Sequence, residues 1–425
     1  MRLPGGLTVR GLGLLLGVGV LWATGRLLGV DGLFAIAIAC GVLVVCAIVV
    51  VRVSARSLSV QRHLTSTRVP FGAPAECQIQ FTNTSRLPSG TLYVADQVHW
   101  SLAEPPQMIV ASLRPRKRAA VSYPLRGTQR GRHQVGPLTV HVSDPFGLCQ
   151  VKRSFDSTDQ IVVYPRIEQL GSPPVGGNHR GSGTSSQRRL FNAGDEFHTL
   201  REYIQGDDLR MVNWSATAKW EKIMVRQHEQ PWDAEATVFV DTRARAHHAA
   251  QGDATLEKAL SVAASVVMQL ARNGYRIRLF TDDDRHPRDF EPPLAHLDRL
   301  AELQPSGQAH LTGGMRTLMK SGSEGLLVAV LPAPLGSAGA QGDRQTSALK
   351  SAGRHHATRQ AISIHSPLAH HAANAHAAMA ALGAMDWTTA TVATDEPFAA
   401  VWQKLHASRR PRTPQTVIAT PGGGR

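Results

Sequence analysis

The residues best suited to chemistry are concentrated in one segment, 194–230, which is rich in acids, arginines and aromatic side chains. Asp195, Glu196 and His198 stand close together at its start. Carboxylates beside a histidine could act as the acid and base of a hydrolase, provided that a pocket holds them and shifts their pKa values. The sequence shows neither condition, so a hydrolase is one hypothesis among several.

The same segment has the composition of an ion-pair network. Arg201 and Arg210 carry guanidinium groups that can fork onto carboxylates. The candidate acceptors are Glu202, Asp207 and Asp208. Such pairs would clasp the segment onto a neighbouring domain, whereas an unpaired arrangement would present a docking surface to a partner. Both interpretations are open at this point.

Other short motifs that carry chemistry are missing from the sequence. It contains no GxxxxGK[ST], HExxH or GxSxG, which removes the motif support for phosphate-loop, zincin and hydrolase functions. His370 and His371 are six and five residues from His376, so the spacing predicts scattered surface histidines and no shared metal face. The four cysteines form no CxxC, which suits a reducing compartment.

The elements that follow this segment alternate between strands and helices. Apolar runs predict strands at Ala236–Val240, Tyr275–Phe280, Leu326–Leu331 and Ala361–Ile364. Helical patterns cover Ala254–Asn273, Ala369–Met385 and Phe398–Ala407. This alternation predicts a largely parallel sheet with helices on both faces.

In residues 54–165 apolar and polar side chains alternate with a period of two, which is typical of strands with one buried face. Cys77, Ile79 and Phe81 alternate with polar residues, and turn-forming dipeptides such as Arg126-Gly127 separate the runs. We expect an antiparallel β-sandwich. The Gly/Ser/Pro-rich residues that follow predict a flexible linker over 166–190.

Two apolar runs near the start predict a transmembrane hairpin. Leu33–Val51 has no charge and is close to the roughly 20 residues that cross a bilayer. Leu12–Val30 is interrupted only by Arg26, and we expect the turn between the helices at Gly25–Gly32. The competing interpretation of the first run is a signal peptide.

Basic residues set the expected orientation. Arg2 and Arg10 precede the first helix, Arg52 and Arg56 follow the second, and the link holds only Arg26. The positive-inside rule therefore predicts a two-pass cell-membrane protein whose soluble domains are cytoplasmic.

A family resemblance rests on the segment described first. The sequence resembles the bacterial "domain of unknown function 58" family, which shows a Gly-x-x-Phe-x-x-x-Arg-x-Tyr-x-x-Gly-Asp-x-x-Arg-x-x-x-Trp pattern. The matching residues, with two fitting glutamates, are Gly194, Glu196, Phe197, Arg201, Glu202, Tyr203, Gly206, Asp207, Arg210 and Trp214. The DPFGL at 144–148 and the domain order also resemble this family, which implies a von Willebrand factor A-like doubly wound α/β domain.

Domains of that kind often hold a divalent cation through Asp-x-Ser-x-Ser after the first strand. Here the corresponding residues are Asp241-Thr242-Arg243-Ala244-Arg245, so only the aspartate remains and arginines replace hydroxyl ligands. We expect no cofactor, with magnesium at Asp241 as a weak candidate, and we expect Asp241 to pair with Arg243, Arg245 or backbone amides.

These observations lead to one functional hypothesis. The resemblance implies a non-enzymatic, membrane-anchored interaction module that binds a MoxR-type AAA+ ATPase and assists assembly or activation of other proteins. The alternatives are a divalent-metal-dependent ligand-binding protein and a hydrolase. The net charge of +14 favours anionic partners, but the basic turn at 114–118 lacks interleaved aromatics, so we expect the bilayer, through residues 11–51, and not nucleic acid.

The expected division of the chain has six parts. They are a hairpin at 1–53, a β-sandwich at 54–165, a linker at 166–190, the motif segment at 191–235, an α/β domain at 236–407 and a disordered basic tail at 408–425.

Overall fold

The computed structural model describes most of the chain, with gaps around several loops and both ends. The described residues are 6–171, 198–203, 212–228, 234–247, 254–320, 325–333, 340–354 and 356–407. Most of the expected linker and the whole expected tail lie outside them.

Two apolar helices open the fold, α1 (Val9–Leu28) and α2 (Asp31–Ser57). Both are long and apolar enough to cross a membrane. The link between them is shorter than expected, because α1 continues to Leu28 and ends at Gly29 with a φ of 60°, a conformation that glycine adopts at low cost. A third helix passes the same test of length and composition, but it is largely buried in the α/β region.

Helix α2 continues beyond its apolar run into the β region. Val51, Ser54 and Ala55 are buried there, which holds the helix to Ser57, although the sequence predicts β structure from residue 54. The Arg153 guanidinium donates hydrogen bonds to the carbonyls of Ala55 and Leu58, and so satisfies acceptors that a helix end leaves unpaired.

Nine strands build the β region. They are β1 (Leu58–Leu64), β2 (Arg68–Val69), β3 (Pro74–Asn83), β4 (Thr91–Val98), β5 (Gln107–Val110), β6 (Arg118–Arg126), β7 (Gly131–Ser143), β8 (Gln150–Phe155) and β9 (Asp159–Val163). One sheet has the order β1-β3-β6 and the other β2-β9-β7-β4-β5, with β8 also paired to β7. All pairs are antiparallel except β2 with β9.

The predicted alternation along the β strands is confirmed. Cys77, Ile79 and Phe81 on β3 are fully buried. Val140 and Val142 on β7 belong to the same hydrophobic cluster, so the two sheets share one core. All four cysteines are free.

The α/β region contains a five-stranded parallel sheet, as the alternation predicts. Its strands are β12 (Glu235–Val240), β13 (Arg276–Thr281), β14 (Leu326–Pro332), β15 (Thr358–His365) and β16 (Thr388–Ala393), in the order β13-β12-β14-β15-β16. Its helices are α4 (Ala244–His247), α5 (Ala254–Arg272), α6 (Pro293–Glu302), α7 (Thr312–Lys320), α8 (Ala340–Gly353), α9 (Ala369–Gly383) and α10 (Phe398–Ala407).

Alternate residues of these strands enter two separate cores. Val238 and Val240 pack with α5, α6 and α10, whereas Phe239 and Phe280 pack with α7, α8 and α9. The sheet is therefore covered on both faces.

Two more strands, β10 (His198–Glu202) and β11 (Met224–His228), and helix α3 (Trp214–Trp220) form a small hairpin unit.

The β and α/β regions are in direct contact. Arg68 forks onto Asp298 of α6 with Nη2–Oδ2 at 2.9 Å, and Arg132 pairs with Glu302 of the same helix. The first residues of the expected linker also pack on this region: Trp402 donates to the Gly171 carbonyl at 3.1 Å. The ordered connection therefore extends at least to residue 171.

Candidate functional site

The hairpin unit contains the described part of the segment that the sequence singled out. Strand β10 pairs antiparallel with β11, from His198 opposite His228 to Glu202 opposite Met224. Helix α3 begins at Trp214 and is capped by Asn213, whose side chain accepts a hydrogen bond from the Ala216 amide at 3.2 Å. An asparagine cap of this kind stabilises a helix start by about 1 kcal/mol.

Further hydrogen bonds fasten the helix to the hairpin. The Asn213 amide donates to the Met224 carbonyl at 2.8 Å, and the Met224 amide donates to Thr217 Oγ1 at 3.0 Å. Val212, Ala216 and Val225 are buried beneath this contact. These seven helical residues are therefore held in place by the hairpin, since a helix this short does not persist alone.

Three large apolar side chains are exposed on this unit, among exposed charged residues such as Lys219 and Lys222. Trp214, Trp220 and Ile223 are 70%, 65% and 44% exposed. Exposed tryptophans are costly to leave in water and are enriched at protein–protein contacts, where they contribute much of the binding energy. We call these three exposed side chains the aromatic face, although Trp214 and Trp220 are six residues apart and point about 120° apart around α3.

Four of the predicted motif residues have a described backbone or side chain. Arg201 lies in β10 opposite Val225, and Glu202 pairs with Lys222 through exposed side chains. The Tyr203 amide donates to the Ile223 carbonyl at 2.8 Å, and Trp214 belongs to the aromatic face. The remaining motif residues, Gly194, Glu196, Phe197, Gly206, Asp207 and Arg210, lie outside the described residues, so the proposed clasp stays a prediction.

The second candidate centre lies at the carboxyl end of β12. This end is next to the switch point between β12 and β14, where open α/β sheets usually bind ligands. Asp241 is fully buried there. Its amide donates to the Val330 carbonyl of β14 at 3.0 Å.

Both oxygens of Asp241 are engaged by one arginine. Arg243 Nε donates to Oδ1 at 2.9 Å, Nη2 donates to Oδ2 at 2.7 Å, and the Arg243 amide donates to Oδ1 at 3.0 Å. The expected pairing of Asp241 with Arg243 is confirmed, whereas Arg245 is exposed. These residues do not fit a magnesium ion, because a guanidinium already occupies the side of the carboxylate where a cation would bind.

The surroundings of this pair are polar and tightly bonded. Thr242 donates to Asp282 Oδ1 through its amide at 2.6 Å and its hydroxyl at 2.7 Å. His247 Nε2 donates to the Asp241 carbonyl at 2.7 Å, and burial lowers the pKa of His247. Across the described ranges, no group of three or more His, Cys, Asp or Glu residues is arranged to hold a metal.

Sequence reasoning missed two features of these centres. The exposure of Trp220 and Ile223 was not predicted, although a second tryptophan six residues after Trp214 was a visible signal. His371 was expected at the surface, but it is buried and its Nδ1 lies 2.9 Å from the Ser366 hydroxyl.

The fold and these centres define a class of protein: two apolar N-terminal helices, a β region and a parallel α/β region with an attached aromatic hairpin. Residues 199–320 match the family model described as "Protein of unknown function DUF58". The resemblance to this family is confirmed over the matched residues.

Similarity to individual proteins is more distant. Over 160 residues the chain is 24% identical to the "Uncharacterized protein YeaD" of Bacillus subtilis (strain 168). This match covers 37% of the chain and 38% of YeaD, so it spans well under half of that relative.

The similarities to solved structures are weak. A CARDB domain from Pyrococcus furiosus has 16% identity and a TM-score of 0.19, over 25% of this chain and 86% of that one. A β-glucosidase from Listeria innocua has 14% identity and a TM-score of 0.17, over 25% of this chain and 16% of the enzyme. Similarity at these TM-scores does not identify a shared fold.

Proposed function

We propose that this protein is a membrane-anchored, non-enzymatic interaction module that binds a MoxR-type AAA+ ATPase and assists the assembly or activation of other proteins. The ATPase is the partner that resemblance to the DUF58 family implies. The observation that carries the proposal is the aromatic face, because it is exposed, rigidly supported and within the DUF58 match.

The supporting geometry suits a docking surface. Asn213 and Thr217 hold α3 through hydrogen bonds, so Trp214 and Trp220 are presented without a large ordering cost on binding. A pair of buried interface tryptophans typically dominates the affinity of a contact. The proposal includes no cofactor, since the Arg243 guanidinium takes the place of a cation beside Asp241.

The proposal includes a two-pass anchor with the β and α/β regions in the cytoplasm. The distribution of Arg10, Arg52 and Arg56 around the helix ends supports this orientation. Protease added outside intact cells should leave the region beyond residue 57 undigested. Digestion of that region would contradict the cytoplasmic placement and the pairing with a cytosolic ATPase.

A co-purification experiment tests the docking surface. The full chain, solubilised in mild detergent, should retain the ATPase, and the Trp214→Ala/Trp220→Ala variant should lose at least about 30-fold in affinity, since one hot-spot residue contributes about 2 kcal/mol or more. Trp100→Ala is the matched control, because Trp100 is 72% exposed in the β region.

The outcomes separate the parts of the proposal. Failure of the folded wild-type chain to bind the ATPase would contradict the function itself. Equal binding by the wild type and the double variant would place the contact elsewhere on the chain.

A further inference from the structure

One end of the β region is built onto the two apolar helices. At this end the Thr84 amide and hydroxyl donate to the carbonyl of Ser57, the last residue of α2, at 2.9 and 2.6 Å. The neighbouring Asn83 amide donates to the Lys117 carbonyl at 3.1 Å, which joins the turn 114–118 to the same helix end. The position of this turn relative to α2 is therefore fixed by hydrogen bonds.

The loop 86–88 is fixed to the same end. Asn83 Nδ2 donates to the Leu87 carbonyl at 2.8 Å and to the Leu113 carbonyl at 3.1 Å. The Ser54 hydroxyl lies 3.5 Å from the Pro88 carbonyl, so the loop reaches back along α2 towards its apolar part.

The geometry of α2 places both segments near lipid headgroups. Ser57 is six residues beyond Val51, where the apolar run ends, which is about 9 Å at about 1.5 Å per helical residue. The headgroup layer is roughly 5–8 Å thick on each side of the bilayer core. With the hydrocarbon core taken to end at Val51, Pro88, beside Ser54, lies at headgroup depth, and the turn 114–118 lies at the outer limit of that layer.

The charged residues at this end of the β region are almost all basic. The segments that form it are 6–11, 52–58, 82–90, 110–119 and 143–153, and together they contain ten lysines and arginines and one acid, Asp144. Asp144 is 4% exposed and accepts hydrogen bonds from the Phe146 and Cys149 amides. The exposed charge is therefore entirely positive.

Nine of these ten basic side chains are exposed. Five of the nine lie in the loop 86–88 and the turn 114–118, and none of the five forms an ion pair within the described residues. We call them the basic rim: Arg86, Arg114, Arg116, Lys117 and Arg118. Arg116 has a φ of 56°, the left-handed region that disfavours an arginine and would suit glycine. Several arginines away from this end are paired with carboxylates, as Arg62 is with Asp96 and Arg68 is with Asp298.

Apolar side chains are exposed beside these charges. Leu87 is 46% exposed in the loop next to α2. Phe146 is 59% exposed in a turn that is held to the start of α1, where the Thr8 amide donates to the Leu148 carbonyl at 3.0 Å. Basic residues combined with exposed apolar ones are typical of surfaces that lie in the membrane interface.

We propose that the basic rim binds the headgroups of anionic phospholipids in the bilayer that α1 and α2 enter, with Leu87 and Phe146 in contact with the acyl boundary. This inference rests on the proposed membrane anchor and adds a lipid ligand to it. Each basic residue close to an anionic surface strengthens binding by about fivefold. Three removed charges should therefore abolish most of the preference for anionic lipid.

The test uses the full chain reconstituted in an equal mixture of phosphatidylcholine and phosphatidylglycerol. The chain is re-extracted in mild detergent, and the retained lipids are quantified by mass spectrometry. We expect the wild type to retain several-fold more phosphatidylglycerol than phosphatidylcholine. The variant Arg114→Gln/Arg116→Gly/Lys117→Gln should retain the two lipids nearly equally.

The matched control removes the same charge from the α/β region. Arg316→Gln/Lys320→Gln/Lys350→Gln changes three exposed basic residues on α7 and α8 and should keep the wild-type lipid ratio. An unchanged ratio in the rim variant would overturn the proposal. So would an equal loss in both triple variants, since the effect would then follow net charge and not the rim.

A single substitution tests whether the triple variant loses its lipid preference only because it misfolds. Arg116→Gly removes one rim charge and relieves the left-handed backbone, so its melting temperature should equal or exceed that of the wild type. Its ratio of phosphatidylglycerol to phosphatidylcholine should still fall to a value between those of the wild type and the triple variant. A normal lipid ratio in this variant, together with loss of an acidic protein partner, would assign the rim to protein binding and overturn the lipid proposal.

These results are independent of the proposed ATPase contact. Each variant is also tested for resistance to alkaline extraction, which reports the anchor, and for ATPase co-purification. Loss of lipid preference with retained ATPase binding would support the rim alone, whereas loss of ATPase binding by the wild type would contradict the proposed function alone.

Discussion

Asp241 is a buried charge whose neutralisation depends on a single neighbouring side chain. A buried carboxylate is expensive unless it is paired and hydrogen-bonded, and Arg243 supplies a bidentate pair with both partners almost fully buried. The pair takes the place that a metal and its hydroxyl ligands would need. Asp241 therefore has a structural role in closing the carboxyl end of β12.

Removing the arginine should expose this dependence. Arg243→Ala leaves the Asp241 carboxylate buried without its cation, and we expect a loss of about 3–5 kcal/mol in the free energy of unfolding. Chemical denaturation of the full chain in detergent, followed by hydrogen exchange of β12, measures the change.

Arg245→Ala is the control for that substitution. Arg245 is exposed two residues further along, so its removal should change stability by less than about 0.5 kcal/mol. Equal effects of the two substitutions would show that Arg243 is not the residue that neutralises Asp241.

The sequence could predict part of this arrangement. Arginines near Asp241 indicated an ion pair, but not the choice between Arg243 and Arg245. That choice depends on the loop after β12, where the Ser306 amide donates to the Thr242 carbonyl at 2.7 Å. Ser306 is more than 60 residues away, and no local pattern reports such a contact.

At the scale of elements, hydrophobic period predicted the strands and helices better than it predicted their ends. The alternation on β3 and β7 follows from burial of one face of each strand. The parallel order of the α/β strands follows from burial of both faces. The end of α2 could not be predicted in this way. Its last residues include Arg52, Ser54 and Arg56, and they are helical because the β region packs on them.

The start of α1 offers a sharp test of this packing. A Cβ added at Gly11 would lie 2.2 Å from the Leu148 carbonyl oxygen, which is backbone and cannot rotate away. Gly11→Ala should therefore separate α1 from the turn at 147–148 or strain both, at a cost of about 1–3 kcal/mol. The melting temperature of the full chain in detergent and exchange of the Thr8 amide report the change.

Gly13→Ala is the corresponding control on the same helix. No atom lies within 4 Å of a Cβ at Gly13, so alanine should be neutral or stabilise the helix by up to about 1 kcal/mol. A larger loss at Gly13 than at Gly11 would contradict the contact between α1 and the β region.

At the scale of the whole molecule, the two ends of the β region make different contacts. One end carries the basic rim and the apolar helices, and the other contacts α6 and α5. The second contact is electrostatically complementary, because Arg68, Arg130 and Arg132 meet Asp298, Glu257 and Glu302. These partners are 127–230 residues apart, as the numbering shows, so the sequence predicted two folded regions but not how they join.

The pH dependence of this interface follows from Asp298. A hydrogen bond from Arg68 holds the pKa of Asp298 below its ordinary value, and the Tyr164 hydroxyl donates a further bond at 3.0 Å. Burial, with Asp298 as neighbour, raises the pKa of Tyr164 to about 12, so this hydroxyl keeps its proton at neutral pH. An acid with a depressed pKa adds stability above its unfolded pKa of about 3.9, and the contribution is lost as pH falls through the lower folded value.

Asp298→Asn should reproduce, at neutral pH, the effect of protonating the Asp298 carboxylate. Hydrogen exchange in β2 and α6, corrected for the intrinsic effect of pH, should be faster in this variant than in the wild type at pH 7. The difference should shrink as the pH falls below about 3.9, because protonation removes the wild-type ion pair while the amide has none to lose. Asp289→Asn, an exposed carboxylate in the loop before α6, should match the wild type at both pH values. If the two variants exchanged alike at pH 7, the Arg68–Asp298 pair would not hold the β and α/β regions together, and their contact would depend on packing and on the Arg130 and Arg132 ion pairs.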